Sequence, residues 1–159
     1  MSIIVPIIDT ESTFTECVRL WLKCEPREII IVTVPRNKDR VLELLGSLQE
    51  ETGKIITLIA PLANKRQQLS MGIKAARGEI IALVDDDVYW SVDTVVPYLL
   101  APFENEKVGA VAGIQRFVSC IRPRILIIDL NLVLRFHLIV KTHESLQPGK
   151  LLPFTICIK

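Results

Sequence analysis

Short apolar runs alternate along this chain with stretches in which apolar residues recur every three or four positions. Residues 2–8 read as a buried strand, ended by Pro6 and Asp9. Residues 10–23 place Phe14, Cys17, Val18, Trp21 and Leu22 on one face of a predicted helix. Residues 28–34 are a β-branched run and a second predicted strand, stopped by Pro35. Asn37 is predicted to cap a helix running to about residue 51, with Val41, Leu42, Leu44, Leu45 and Leu48 available to the core. Gly53 ends that helix, residues 54–60 form a third strand, and residues 64–77 a third helix with Gly78 as terminator. Residues 79–84 form a fourth strand that runs into Asp85-Asp86-Asp87. A helix over 91–100, with Ser91 as cap, and a fifth strand over 107–112 complete the series.

The strands are continuous apolar runs, as expected when helices cover both faces of a sheet. Strict alternation of strand and helix predicts an α/β fold with a mostly parallel open sheet and right-handed crossovers. Ligands of such sheets bind at the carboxyl ends of the strands. Residues 6–9, 34–36 and 85–87 all fall at such ends, so they are expected to gather on one rim. The alternation stops near Phe117, which divides the chain into an ordered unit over 1–118 and an irregular, unassigned C-terminal tail over 119–159.

Length and charge narrow the classes. A chain of 159 residues suits one domain, and half of its residues are hydrophobic. A net charge of +1 argues against nucleic acid as a partner. Cys17, Cys24, Cys120 and Cys157 match no zinc or redox spacing and read as free thiols in a reducing compartment. The N-terminus carries no signal-peptide pattern. The most apolar segment, 125–140, is interrupted by Asp129, Arg135 and His137 and reads as buried or interfacial, not membrane-spanning.

The acidic triplet is the most informative feature. Carboxylates repel one another, and a turn before a helix would tolerate them as solvated charges. Their position on a buried parallel strand favours metal binding, because hard divalent cations take carboxylate oxygens and magnesium needs only one or two from protein. Lys65 and Arg66 open the third helix, where two cations beside helix N-terminal amides suit a diphosphate, or else form an ordinary solvated pair. Asp9 is equally suited to cap a helix or to accept hydrogen bonds from a base or ribose. His137 and His143 lack partners at ligand spacing and read as structural. Ser70, Ser91 and Ser119 have no nucleophile-elbow context, and there is neither a Walker loop nor a Gly-x-Gly-x-x-Gly.

Ser-Ile-Ile-Val-Pro, Glu-Ile-Ile-Ile-Val, Asn64-Lys-Arg-Gln-Gln-Leu through Asp87, and the segment from Pro97 to Gly113 form an ordered set. Together they resemble family 2 glycosyltransferases of the processive kind, similar to hyaluronan and chitin synthases and closest to a fungal capsular-polysaccharide-synthase-like group. The resemblance implies a GT-A fold, a UDP-sugar donor, a magnesium or manganese ion and a polysaccharide acceptor. By position it implies Pro6 and Asp9 at the uridine, Lys65 and Arg66 at base and diphosphate, Asp85 at the ribose side, and Asp87, with Asp85, at the metal. Many members carry an acid after the second strand, where this chain has Thr33-Val34-Pro35. The chain is expected to be truncated to the donor half, without the acceptor-side acid, the Gln-x-x-Arg-Trp motif or the membrane helices of the family. Activity is then weak or lost, and the alternative is an inactive remnant that binds nucleotide-sugar or pairs with a full-length synthase. A receiver- or flavodoxin-like domain with a regulatory acidic pocket ranks last. Family likeness implies membrane association; the chain expressed alone would be cytoplasmic, and apolar surface at the missing half would favour self-association.

Overall fold

The computed structural model describes residues 1–90, 95–106, 108–114 and 136–141. Backbone alone is described for the last three residues of the fifth strand and for all of the sixth. Elements run in the order β1 (Ser2–Pro6), α1 (Phe14–Lys23), β2 (Glu28–Thr33), α2 (Lys38–Thr52), β3 (Ile55–Ile59), α3 (Lys65–Ala75), β4 (Ile80–Leu83), α4 (Val95–Leu100), β5 (Ala110–Ile114) and β6 (Phe136–Lys141). Ser91, Lys107, Ser119, Cys120, His143 and Cys157 lie outside the described residues.

Among the described residues, six strands form one sheet in the order β3-β2-β1-β4-β6-β5. The first four are mutually parallel, with Ile3 opposite Ile29 and Ala82 and with Ile29 opposite Ile55. β6 is antiparallel to both β4 and β5. This is the expected α/β architecture with one addition. The pattern after residue 118 predicts no strand, yet the tail supplies β6, inserted between β4 and β5. The fifth strand also starts later than its apolar run suggests, at Ala110.

Side chains alternate across the sheet, so each strand feeds two cores. Ile3, Val5, Ile29, Ile31, Ile55 and Ala82 pack with Phe14, Cys17, Val18 and Trp21 of α1, Val41, Leu45 and Leu48 of α2, and Leu99 of α4. Ile4, Ile30, Val32 and Ile81 face the other way and pack with Leu69, Met71 and Ala75 of α3. Helices therefore cover both faces. α3 lies close to the sheet because Gly72 has no side chain; a Cβ there would overlap Ile4 Cγ2 and come within 3.3 Å of Val32 Cγ2.

Three local expectations need correction. Asn37 occupies the cap position of α2, but its buried amide turns back to Thr33 Oγ1 at 3.5 Å and caps nothing. α1 begins at Phe14 rather than residue 10, with Thr13 at its cap position, so Asp9 is not a helix cap. Gly78 does not terminate α3, which ends at Ala75; it permits close approach, since a Cβ there would lie 2.7 Å from the Ser2 nitrogen. The remaining punctuation is as read. Gly53 closes α2 at φ 60°, and Asn64 Oδ1 accepts from Gln67 N at 3.1 Å to cap α3.

At the amino ends of the strands, the Glu28 carboxylate is fully buried and saturated with donors. Ser2 Oγ donates at 2.8 Å, and the backbone N and Nε of Arg77 donate at 2.6 Å each. Burial alone would raise the Glu28 pKa, but the Arg77 and Ser2 hydrogen bonds and the Arg77 charge outweigh it and hold it below the usual value. This network staples β1, β2 and the α3–β4 connection far from the opposite, carboxyl rim.

Candidate functional site

Strand order reverses between β1 and β4: β2 lies on one side of β1, and β4 on the other. A crevice opens at such a reversal because the connections leave the two strands in opposite directions. The chain fills that position with acids. A cleft of about 300 Å³ is lined by Asp9, Thr10, Glu11 and Thr13, which follow β1, and by Asp86 and Asp87, which follow β4.

The acidic segment is fixed at both ends. Val84 N donates to Ile4 O at 3.0 Å, extending the β1–β4 pairing up to the triplet. Beyond it, Trp21 Nε1 of α1 donates to Val88 O at 3.1 Å. Trp21 also meets Trp90 at 6.2 Å and Phe14 edge-on at 6.0 Å between ring centroids. Three carboxylates are thus held between two anchors at the rim. A solvated acidic turn needs no such anchoring.

Lys65 and Asp85 come together: Nζ donates to Oδ1 at 2.7 Å. Lys65 sits in the first turn of α3, whose amino end therefore faces the end of β4. Arg66 is exposed and makes no ion pair among the described residues. Asp9 is exposed and pairs with Arg36 Nη2 at 2.8 Å. Arg36 stands just past β2, so a cation occupies the region where the resemblance implies an acid. Pro6 ends β1 and is half-buried. The structure therefore joins Lys65 to Asp85, sets Asp9 and Asp87 on one cleft, and leaves Arg66 outside the contacts.

Burial raises the Asp86 pKa, and the Asp87 and Asp85 charges add to the rise; its own backbone hydrogen bond and the nearby Thr10 hydroxyl oppose it. By geometry that hydroxyl, itself buried, makes no hydrogen bond among the described residues. Like charge is thus concentrated at a point that water does not fully screen, and a cation would relieve it. Among the described residues no three His, Cys, Asp or Glu side chains form a closed cage. A hard divalent ion held by one or two of these carboxylates, with water and phosphate completing its shell, fits the donor set. The buried Cys17 thiol of α1 is pushed up to about 11, by burial first and by the charges of Asp87, Asp86 and Glu16 after it, against the opposing influence of the nearby Tyr89 hydroxyl. A thiol so far from ionisation is not a nucleophile.

Sequence reasoning did not single out Thr10, Glu11 and Thr13 as site residues. They lie in what reads as the first turn of a helix, and the signal against helix there is weak. It also did not single out Gln68, whose burial depends on strand-end carbonyls contributed by distant parts of the chain.

A mostly parallel sheet with helices on both faces and an acidic crevice at its reversal point is an α/β architecture of the GT-A type. Residues 2–155 match the family described as glycosyl transferase family 2, and the chain belongs to that family. It is 68% identical over 116 residues to the NDP-glycosyltransferase ltbB of Aspergillus luteorubrus, covering 72% of this chain. It is 37% identical over 123 residues to a type 2 glycosyltransferase of Zymoseptoria tritici, covering 74% of this chain. The matched part spans 28% and 25% of the lengths of these relatives. Among solved structures, the fold is similar to a mannosyltransferase of Pyrobaculum calidifontis in complex with GDP-Man and Mn2+. The TM-score is 0.62 at 21% identity, over 72% of this chain and 35% of that one. It is also similar to 4-diphosphocytidyl-2C-methyl-D-erythritol synthase of Anaerococcus prevotii, with TM-score 0.61 at 13% identity over 88% and 70% of the two chains. At these identities the likeness is one of fold. No helix among the described residues is long and apolar enough to cross a membrane.

Proposed function

We propose that residues 1–118 carry the donor site of a family 2 glycosyltransferase that binds a UDP-sugar with magnesium or manganese for transfer to a polysaccharide acceptor. The observation that carries this reading is the Lys65–Asp85 pair at 2.7 Å, set at the rim beside the acidic cleft. It brings a cation suited to phosphate and carboxylates suited to a metal to the end of one strand. In this reading Lys65 and Arg66 bind the diphosphate, Asp9 and the Pro6 backbone face the uridine, and Asp85 takes the ribose side. Asp87, with Asp85, would hold the divalent ion. That ion would supply charge neutralisation to the departing diphosphate. The chain's own residues bind and orient the donor: Asp9 accepts from the base, and Lys65 and Arg66 meet phosphate oxygens. The processive, polysaccharide-synthase-like subtype is part of the same reading.

An inverting transfer also needs a base for the acceptor hydroxyl, and none of the residues assigned here plays that part. A second reading follows: a domain that binds nucleotide-sugar without turnover, or pairs with a full-length synthase. Calorimetric titration with UDP, with and without Mn2+, beside Asp85→Ala/Asp87→Ala, tests the donor site. Metal-dependent binding that the variant loses is expected. A folded wild type that binds no UDP refutes the assignment. A turnover assay with UDP-sugars then separates the enzyme from the binding module.

A further inference from the structure

One fully buried polar side chain lies beside the proposed donor site and has no part in the reading above. Gln68 of α3 is inaccessible to solvent. Its Nε2 donates to Ile7 O and to Val32 O, both at 2.7 Å. Ile7 follows the last residue of β1, and Val32 precedes the last residue of β2. Val32 O also accepts from Ile7 N at 2.9 Å. Three hydrogen bonds therefore converge where β1 and β2 part, one strand leading to Asp9 and the other to Arg36. Among the described residues, Gln68 Oε1 is buried without a hydrogen-bond partner. A buried acceptor left unpaired is destabilising, so stability alone is a poor account of a glutamine here.

Gln68 lies three residues after Lys65 and four before Gly72, so the three share one side of α3. Gly72 lets the helix rest directly on Ile4 and Val32. Gln68 then fixes how far the helix slides and turns on that contact, because one amide must reach two carbonyls from different strands at once. One turn closer to the helix amino end, that placement sets Lys65 against Asp85.

We infer that Gln68 is a positioning residue that holds the Lys65 ammonium in register with the ends of β1, β2 and β4 for binding of a nucleoside diphosphate. The inference rests on the donor-site reading. Gln68 touches no donor atom; it acts through Lys65. Removing its donors frees α3 to shift, and the ammonium then meets the diphosphate with a spread of positions.

The test is a double-mutant cycle read by calorimetric UDP binding in the presence of Mn2+, on wild type, Gln68→Met, Lys65→Met and the double variant. Urea unfolding is measured for each. Acting through Lys65, Gln68→Met weakens UDP binding about tenfold in the wild-type background and less than about twofold in the Lys65→Met background. A general loosening of the fold instead gives the same factor in both backgrounds, and that result overturns the inference, as does unchanged affinity in Gln68→Met. If Gln68→Met does not fold, Gln68→Glu goes through the same cycle, since its protonated carboxyl keeps the shape and one donor. Wild type that binds no UDP removes the donor reading itself, and the inference with it. Wild type that binds, with an additive cycle, removes the inference alone.

Discussion

Gly72→Ala pits two effects of known sign against each other. In the middle of a helix, alanine is favoured over glycine by about 1 kcal/mol, because glycine loses more backbone entropy on folding. At Gly72 the added methyl overlaps Ile4 Cγ2 and presses on Val32 Cγ2. Both partners are fully buried strand residues without room to retreat, so the helix must lift. Overpacking of this kind costs about 1–3 kcal/mol. The net expectation is a loss of about 1 kcal/mol. Gly46 of α2 is the control: a Cβ there meets nothing within 4 Å, so Gly46→Ala keeps the propensity gain and stabilises by about 0.5–1 kcal/mol. The two variants should differ by about 2 kcal/mol, or about 4–8 °C in melting midpoint for a chain of this size. Urea unfolding monitored by circular dichroism reads the difference as a shift in midpoint at constant slope. Equal stabilisation by both substitutions would refute the close packing of α3 on β1 and β2, and with it the placement of Lys65.

Glu28→Gln should destabilise by about 1–3 kcal/mol, because the donors of Ser2 and Arg77 lose a charged acceptor. The folded Glu28 pKa lies below its unfolded value, so its contribution is complete above the unfolded carboxylate pKa and disappears as pH falls through the folded one. Urea midpoints taken from neutral pH downward should therefore fall less steeply in Glu28→Gln than in wild type; parallel curves would show that Glu28 does not govern the acid limb. On the donor-site reading, Lys65→Met frees Asp85 from its ammonium partner, so Mn2+ binding without nucleotide should tighten by up to about fivefold, the strength of a partly exposed ion pair. Manganese paramagnetic resonance measures free ion directly, and weaker binding in the variant would remove Asp85 from the metal site.

Much of this is legible in the sequence for local reasons. Continuous apolar runs mark parallel strands because both faces are covered, and Gly53 and Asn64 mark helix ends through their own backbone and side chain. The acidic triplet is placed by the strand before it. What escapes is non-local. Most of β6 belongs to a run that reads as a buried or interfacial segment, and only its pairing with β4 and β5 makes it a strand. Asn37 has the right residue type for a cap, but the nearby Thr33 hydroxyl takes its amide. Gln68 looks like one of two polar residues after a basic pair, and only the carbonyls of Ile7 and Val32 distinguish it from Gln67. Asp9 has two equal readings in sequence; the late start of α1 and the reach of Arg36 exclude the cap.

The insertion of β6 between β4 and β5 has a consequence for biosynthesis. β1 to β4 pair with one another, apart from the edge of β4 that β6 takes, and can assemble while later residues are still in the ribosome. Among the described strands β5 pairs only with β6, so it has no docking place on the sheet when it first emerges. Until Phe136–Lys141 arrives, the outer side of β4 is an open template of unpaired amides and carbonyls. The nascent domain thus passes through an interval in which its sheet can recruit a foreign strand, and a holding chaperone would act on that edge.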